Sequence, residues 1–225
     1  WGTEGIGKKL IAKEVAKRIL CLEKNMQDCK CKSCIEFDSD NNPDFQLIEA
    51  TDGKIKIDQI REMQRKIAEK PIISSQKVYL IDDADTMTVE AQNCLLKTLE
   101  EPPEYITIIL ICSNEDTMLS TIKSRCTRMH FEPIEKEKVK QFIHANYPDI
   151  EMSDKIIELA QGSIGKAIRL NGNKGVYENI EKILLSMQTK DLIDIVQMSD
   201  GIYKAKEDIQ SILEYINVML LELSR

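Results

Sequence analysis

Two compact apolar runs, 77–81 and 106–112, flank a segment, 89–101, whose apolar residues recur at helical spacing. No other feature of the chain restricts its fold as strongly. Short Val- and Ile-rich runs suit strands buried on both faces of a parallel sheet. Parallel neighbours need a crossover connection, and the intervening helix, with Leu95 and Leu99 on one face, supplies it. Pro102-Pro103 stops that helix, because proline cannot continue the hydrogen-bond ladder. The alternation extends upstream. A strand is expected around 46–50, and Ile57, Ile60, Met63 and Ile67 mark a helix that Pro71 ends. The fold class is therefore α/β, with helices layered on a parallel sheet.

From Glu135 onward no strand pattern survives. Helices are expected at 135–146, 153–161, 164–170, 176–187, 189–199 and 205–224. The last carries Ile209, Ile212, Leu213, Ile216, Leu220 and Leu223 at three-and-four spacing. A composition shift near Pro133 thus separates an α/β part from a helical part, and Gly172-Asn173-Lys174-Gly175 reads as a second hinge. A length of 225 residues allows one large or two small domains. The net charge of −7 argues against a broad basic face that grips nucleic acid unaided. No apolar run approaches the roughly 18 residues of a membrane span. Seven cysteines, an odd number with four clustered, fit a reducing cytoplasm better than a disulfide framework. No signal peptide is visible, and a cytoplasmic location is expected.

At the start, Gly2-Thr3-Glu4-Gly5-Ile6-Gly7-Lys8 fits a phosphate-binding loop, and Ile11, Val15 and Ile19 place a helix directly behind it. In such a loop Gly2, Gly5 and Gly7 let backbone N–H groups face phosphate, and Lys8 reaches the β- and γ-phosphates. The next residue should be Ser or Thr, whose hydroxyl holds Mg²⁺; here it is Lys9. A lysine cannot ligate the metal, and its charge could itself sit near the phosphates. The bland reading is a glycine turn that opens a helix. A phosphate loop almost always follows a strand, so a strand is expected to be missing before Trp1. Asp82 and Asp83 follow the 77–81 run, where an acidic pair would bind Mg²⁺ and orient water, although glutamate is usual at the second position. Alternatively Asp82, Asp83 and Asp85 only cap the following helix.

Cys21, Cys29, Cys31 and Cys34 stand in a polar stretch, 21–45, that looks like an irregular insertion. Four thiolates can close a tetrahedral Zn²⁺ site and order a segment that has almost no core of its own. Free thiols, or a three-cysteine site, are the other readings; Cys94 and Cys112 read as core residues. Arg125 lies between Ser124 and Cys126, at the end of the α/β part. It is either a solvated surface charge or a guanidinium offered across an interface to a neighbour's γ-phosphate.

The stretches 2–9, 21–34, 78–85, 95–103 and 124–126 together resemble the clamp-loader branch of the AAA+ ATPases, and within it the delta-prime subunit family of bacterial DNA polymerase III. The Leu-Glu-Glu-Pro-Pro and Ser-Arg-Cys elements are the most specific carriers. The resemblance implies a three-layer α/β/α AAA+ core over 1–133 with a zinc insertion at about 21–45. A small helical lid over 134–174 and the start of a helical collar over 175–225 would follow. It implies a subunit of a ring-shaped heteropentamer, part of a DNA-directed DNA polymerase holoenzyme, that opens the sliding clamp and loads it on primed DNA. The implied partners are the tau/gamma motor and delta subunits, with the clamp and DNA reached through the complex. Arg125 would then be a trans arginine finger on ATP held by an adjacent motor. Gly2, Gly5, Gly7, Lys8, Lys9, Asp82, Asp83 and Asn114, with Ser113 beside it, would form a degenerate nucleotide site that binds ATP weakly or not at all. Gly165 stands where active relatives carry a second sensor arginine, and the C-x-C step is tighter than the family's usual zinc spacing. Two rivals remain: an active motor of the same complex in which Lys9 is tolerated, and a zinc-dependent nucleic-acid-binding module.

Overall fold

A computed structural model describes residues 1–24, 29–150, 152–172, 175, 177, 178, 180, 212, 213 and 215–217. The chain divides into two compact units, Trp1–Glu132 and Pro133–Arg225. In the first, three parallel strands, β1 (Phe45–Ile48), β2 (Lys77–Ile81) and β3 (Ile106–Leu110), pair in the order β1-β2-β3. The crossovers are helices α3 (Ile57–Ile67) and α4 (Val89–Glu100). Every residue of β2 is buried, as expected for a strand covered on both faces.

Side chains that alternate along β2 divide the core. Tyr79 and Ile81 face Ile60, Met63 and Ile67 of α3 and Leu95 of α4. Val78 and Leu80 face helix α1 (Lys8–Leu20), which approaches closely because it presents Ala12 and Ala16 to the sheet. Helices on both sides of a parallel sheet make three layers. Burying each of these aliphatic side chains contributes about 1.5–3 kcal/mol.

The helix expected after the glycines is α1, while the buried strand expected at 106–112 needs correction. Ile11 and Val15 have the spacing of a core face, yet they are 44% and 43% exposed. The buried face of α1 is instead Lys8, Ala12, Ala16 and Leu20. Of the 106–112 run, Ile111 and Cys112 are buried as expected, but all five residues of β3 are only half-buried. Among the described residues no strand pairs with its outer edge. Ile11, Val15, Leu99 and Ile108 line an open groove of about 490 Å³ beside that edge. Trp1 and Gly2 lie at one end of it, joined to the segment after Arg125 by Phe131 N–H to the Trp1 carbonyl at 2.8 Å. Gly2 N–H donates to the Cys112 carbonyl. A Cβ on Gly2, at φ 154°, would run into the Phe131 carbonyl oxygen, so glycine is required there.

The 21–45 stretch is less irregular than its composition suggests. It contains helix α2 (Lys32–Asp38), whose Phe37 packs with Leu20 and Val78. Polar contacts also brace the stretch internally and tie it to α1 and to the loop before β2. Asn42 Nδ2 donates to the Ser33 carbonyl, Ser33 and Ser74 hydroxyls are 3.1 Å apart, and Lys17 of α1 pairs with Asp38 at 2.6 Å. Buried Asp44, just before β1, accepts the N–H groups of Ile72, Ile73 and Ser74, each at 2.7 Å. It fixes the loop through which the chain enters β2.

The second unit contains α6 (Lys136–Asn146), α7 (Asp154–Ala160) and α8 (Ile164–Gly172), after the short α5 (Ser120–Lys123) of the first. Ser153 caps α7 by accepting the Ile156 N–H, and Gly162, at φ 81°, sits where a Cβ would collide with Ile134. Its core joins Val139, Ile143, Ile157, Leu170, Tyr177 and Ile212, so one apolar cluster runs past position 174, where the glycines suggest a hinge. Gly172 lies in α8 and Gly175 is helical. Most of the helices expected at 176–187, 189–199 and 205–224 lie outside the described residues. No described helix is long and apolar enough to cross a membrane.

Candidate functional site

The loop ahead of α1 turns on glycines. Gly5 and Gly7 adopt positive φ, 76° and 92°, and Gly7 caps α1 with no side-chain hydrogen bond, which leaves the first N–H groups of the helix facing outward. Here the Lys8 ammonium is buried and turned back on its own loop. It donates to the Gly2 carbonyl at 2.5 Å, the Thr3 carbonyl at 2.9 Å and the Ser113 hydroxyl at 3.1 Å. Burial lowers its pKa, while the charge of Asp85 and its neighbours acts the other way.

Lys9 points elsewhere. Its ammonium lies 2.5 Å from Glu49 Oε1 and 2.9 Å from Asp82 Oδ2. Glu49 follows the last residue of β1 and Asp82 the last of β2, so the ammonium joins the carboxyl ends of neighbouring strands. Ligands of open parallel sheets bind at those ends. Lys9 thus faces carboxylates rather than a phosphate position, which refines the expectation drawn from its charge. An open cleft of about 510 Å³ runs over Gly5, Gly7, Lys8, Lys9, Asp82, Asp83 and Ser113.

The acidic residues do not serve as helix caps. Thr88 caps α4 by accepting the Ala91 N–H, whereas Asp82 Oδ1 accepts the N–H of Asp83. Asp83 sits at φ 48°, ψ 48°. Partial loss of water, then the charges of Asp82, Asp85 and Glu4, push its pKa above the usual carboxylate range. Asp85 Oδ2 accepts the N–H groups of Ser113 and Asn114, and its Oδ1 is buried without a hydrogen-bond partner. Ser113 touches Lys8, while the Asn114 side chain accepts the Asp116 N–H in a local turn. Sequence reasoning missed Glu49. It is one of several acidic residues that follow strands, and only the pairing of β1 with β2 brings it beside Lys9.

The four cysteines converge. The Sγ atoms of Cys21, Cys29, Cys31 and Cys34 all lie within 4.8 Å of one another. Four thiolates around zinc at about 2.3 Å stand about 3.8 Å apart, so the set fits a tetrahedral ion, C-x-C step included. The end of α1 supplies Cys21, and the start of α2 supplies Cys31 and Cys34. Burial pushes the Cys31 thiol up, but backbone N–H donors from Cys34 and Leu22 and the neighbouring thiols bring it down to about 6. Burial, then Cys31 and Cys21, push Cys34 up. Zn²⁺ held here would take all four as thiolates and fold the insertion around itself.

For the divalent ion that a phosphate loop implies, the residues do not fit. The position that should offer a hydroxyl oxygen offers an ammonium, and that ammonium is already seated on Asp82.

Arg125 follows α5. Its Nη2 lies 2.9 Å from Glu100 Oε1, and Nη1 donates to the Thr121 carbonyl at 2.9 Å. Glu100 belongs to the Leu-Glu-Glu-Pro-Pro element, so the structure joins the two stretches that the sequence singled out. The Glu100 and Arg125 side chains are 51% and 35% exposed.

Residues 1–135 match the family model described as DNA polymerase III, delta subunit. The chain is 30% identical over 184 residues to the DNA polymerase III subunit delta' of Bacillus subtilis, covering 81% of this chain and 56% of that protein. It is 30% identical over 190 residues to the subunit delta' of Pseudomonas aeruginosa, covering 82% and 58%. Against the subunit tau/gamma of Haemophilus influenzae the identity is 30% over 200 residues, covering 83% and 29%. The chain therefore spans little more than half the length of the delta' relatives.

Proposed function

The chain belongs to the DNA polymerase III delta-subunit family, and we propose that it is the delta-prime-type brace of a clamp loader, which hydrolyses little or no ATP itself and lends Arg125 to an adjacent motor subunit. The observation that carries this is the pairing of Arg125 with Glu100 at the surface of the α/β unit. An exposed ion pair of this kind is worth only about 0–1 kcal/mol, so a triphosphate can displace Glu100 at small cost. A guanidinium neutralising the developing γ-phosphate charge is worth about 10³–10⁵ in rate. The altered loop supports the other half of the reading. Lys9 offers no oxygen to Mg²⁺, and Asp83 is one methylene shorter than the glutamate that orients water in active relatives.

In this reading the second unit is a helical lid over 134–174 followed by the beginning of a collar over 175–225. Zn²⁺ orders the insertion, and the partners are tau/gamma and delta, with the sliding clamp and primed DNA met through the assembled ring. A motor of the same complex is the rival, favoured by the identity to tau/gamma relatives. Single-turnover assays of the full-length protein with Mg²⁺-ATP separate the two. The brace gives no burst of phosphate above a Lys8→Ala control. A burst that the Lys8→Ala change abolishes would establish the motor. Co-purification with the other polymerase subunits and mass measurement of the assembly test membership of the ring.

A further inference from the structure

We infer that Lys9 is a resident cation: its ammonium fills the divalent-metal seat between Glu49 and Asp82, so that this phosphate loop neither needs nor admits Mg²⁺. The inference rests on reading residues 2–9 as a phosphate loop. It goes beyond the proposed function in naming the residue that sets the metal preference of the site.

Asp82 is only 14% exposed on its side chain and stands at the end of a fully buried strand, so it cannot swing away to meet an ion elsewhere. Lys9 reaches it at 2.9 Å from the second residue of α1, and reaches Glu49 at 2.5 Å from the same atom. Both carboxylates are thus engaged by one tetrahedral donor. Mg²⁺ demands near-octahedral oxygens at about 2.0–2.1 Å and keeps several waters. To enter here it would have to expel an ammonium tethered to the helix. The ammonium also stays charged at neutral pH. Burial lowers its pKa, but the hydrogen bonds and charges of Glu49 and Asp82 more than reverse that effect.

The arrangement differs from a loop that has merely lost its ligand. Had position 9 been alanine, Glu49 and Asp82 would face one another with no counter-charge and would still attract a divalent ion. With lysine the pair is neutralised in part from within, and the ends of β1 and β2 are tied whether or not any phosphate is present. A phosphate group that settles on Lys8 and the open N–H groups of α1 would do so without a bridging metal.

Mn²⁺ is the probe, because its bound and free forms are distinguished by electron paramagnetic resonance. The zinc-loaded full chain is titrated with Mn²⁺ in the absence of nucleotide, as wild type, as Asp82→Asn, as Lys9→Thr and as Lys9→Thr/Asp82→Asn. Wild type should show no Mn²⁺ binding that an Asp82→Asn change removes. Lys9→Thr should bind one Mn²⁺ at least tenfold more tightly than wild type, and the added Asp82→Asn change should abolish the gain. Lys9→Thr should also melt at a lower temperature in chelator and recover on adding Mn²⁺, while the wild-type melting temperature stays unmoved. An Mn²⁺ site in the wild type that is lost with Asp82→Asn overturns the inference, and that arm stands even if Lys9→Thr does not fold. A folded Lys9→Thr chain that binds no more Mn²⁺ than wild type overturns it too. None of these outcomes depends on Arg125, so they are read apart from the proposed role of the finger.

Discussion

With a hydroxyl at position 9, Asp82 and Glu49 would border an open seat for a cation; the lysine closes that seat with its own charge. A change of one side chain thus alters the electrostatics of the strand ends more than any change in the glycines, which turn the loop at positive φ. Asp83, next in line, holds its charge at a cost. Its folded pKa lies above its unfolded value, so the folded state is penalised once the group ionises. That penalty is absent below the unfolded pKa, near 3.8, and grows as pH rises through the folded pKa. Asp83→Asn should therefore stabilise the chain at pH 7, by no more than about 0.5 kcal/mol because the group borders solvent. Asparagine tolerates the same left-handed backbone. Thermal melts at pH 7 and pH 3 check this: the gain should be present at the first and gone at the second. A gain of equal size at both would show that charge is not its source.

Among the elements, those with strong local periodicity were the most legible. The strand β2 and the helices α3 and α4 stand within a residue or so of where apolar spacing and prolines put them, because both faces of β2 and one face of each helix are buried. The α1 helix was legible as a helix but not in orientation. Ile11 and Val15 are large apolar residues, yet the sheet takes Ala12 and Ala16 with Leu20; the small alanines let the helix lie close, and no spacing rule ranks a small residue above a large one. The α2 helix escaped notice because seven residues hold a single large core anchor, Phe37. The convergence of the cysteines was legible, whereas the Lys9–Glu49 contact was not, being set by strand pairing across forty positions. The Ser33–Ser74 and Lys17–Asp38 contacts fasten the cysteine insertion to the loop before β2 and to α1, so it hangs beside the sheet rather than supporting it. Chelating zinc should accordingly speed amide exchange over the described part of 21–45 while strand amides of β2 stay protected. The metal content should be one Zn²⁺ per chain before chelation. Loss of protection throughout β2 would mean that the metal site holds up the whole unit.

At the scale of the molecule, an acidic chain with a compromised metal seat and a surface arginine makes chemical sense as part of an assembly. The chain covers just over half the length of its delta' relatives, and in the role we propose its contribution is made where Arg125 meets a neighbouring nucleotide. The most direct measurement is single-turnover ATP hydrolysis by the full-length protein assembled with its motor subunits, wild type against Arg125→Ala and Arg125→Lys, with the motor sites not adjoining this chain disabled. Removing the guanidinium should slow the adjoining site by at least about 100-fold with the assembly intact by mass, and lysine, which lacks the planar fork, should restore only a small part. Turnover unchanged by Arg125→Ala in an intact assembly would contradict the account.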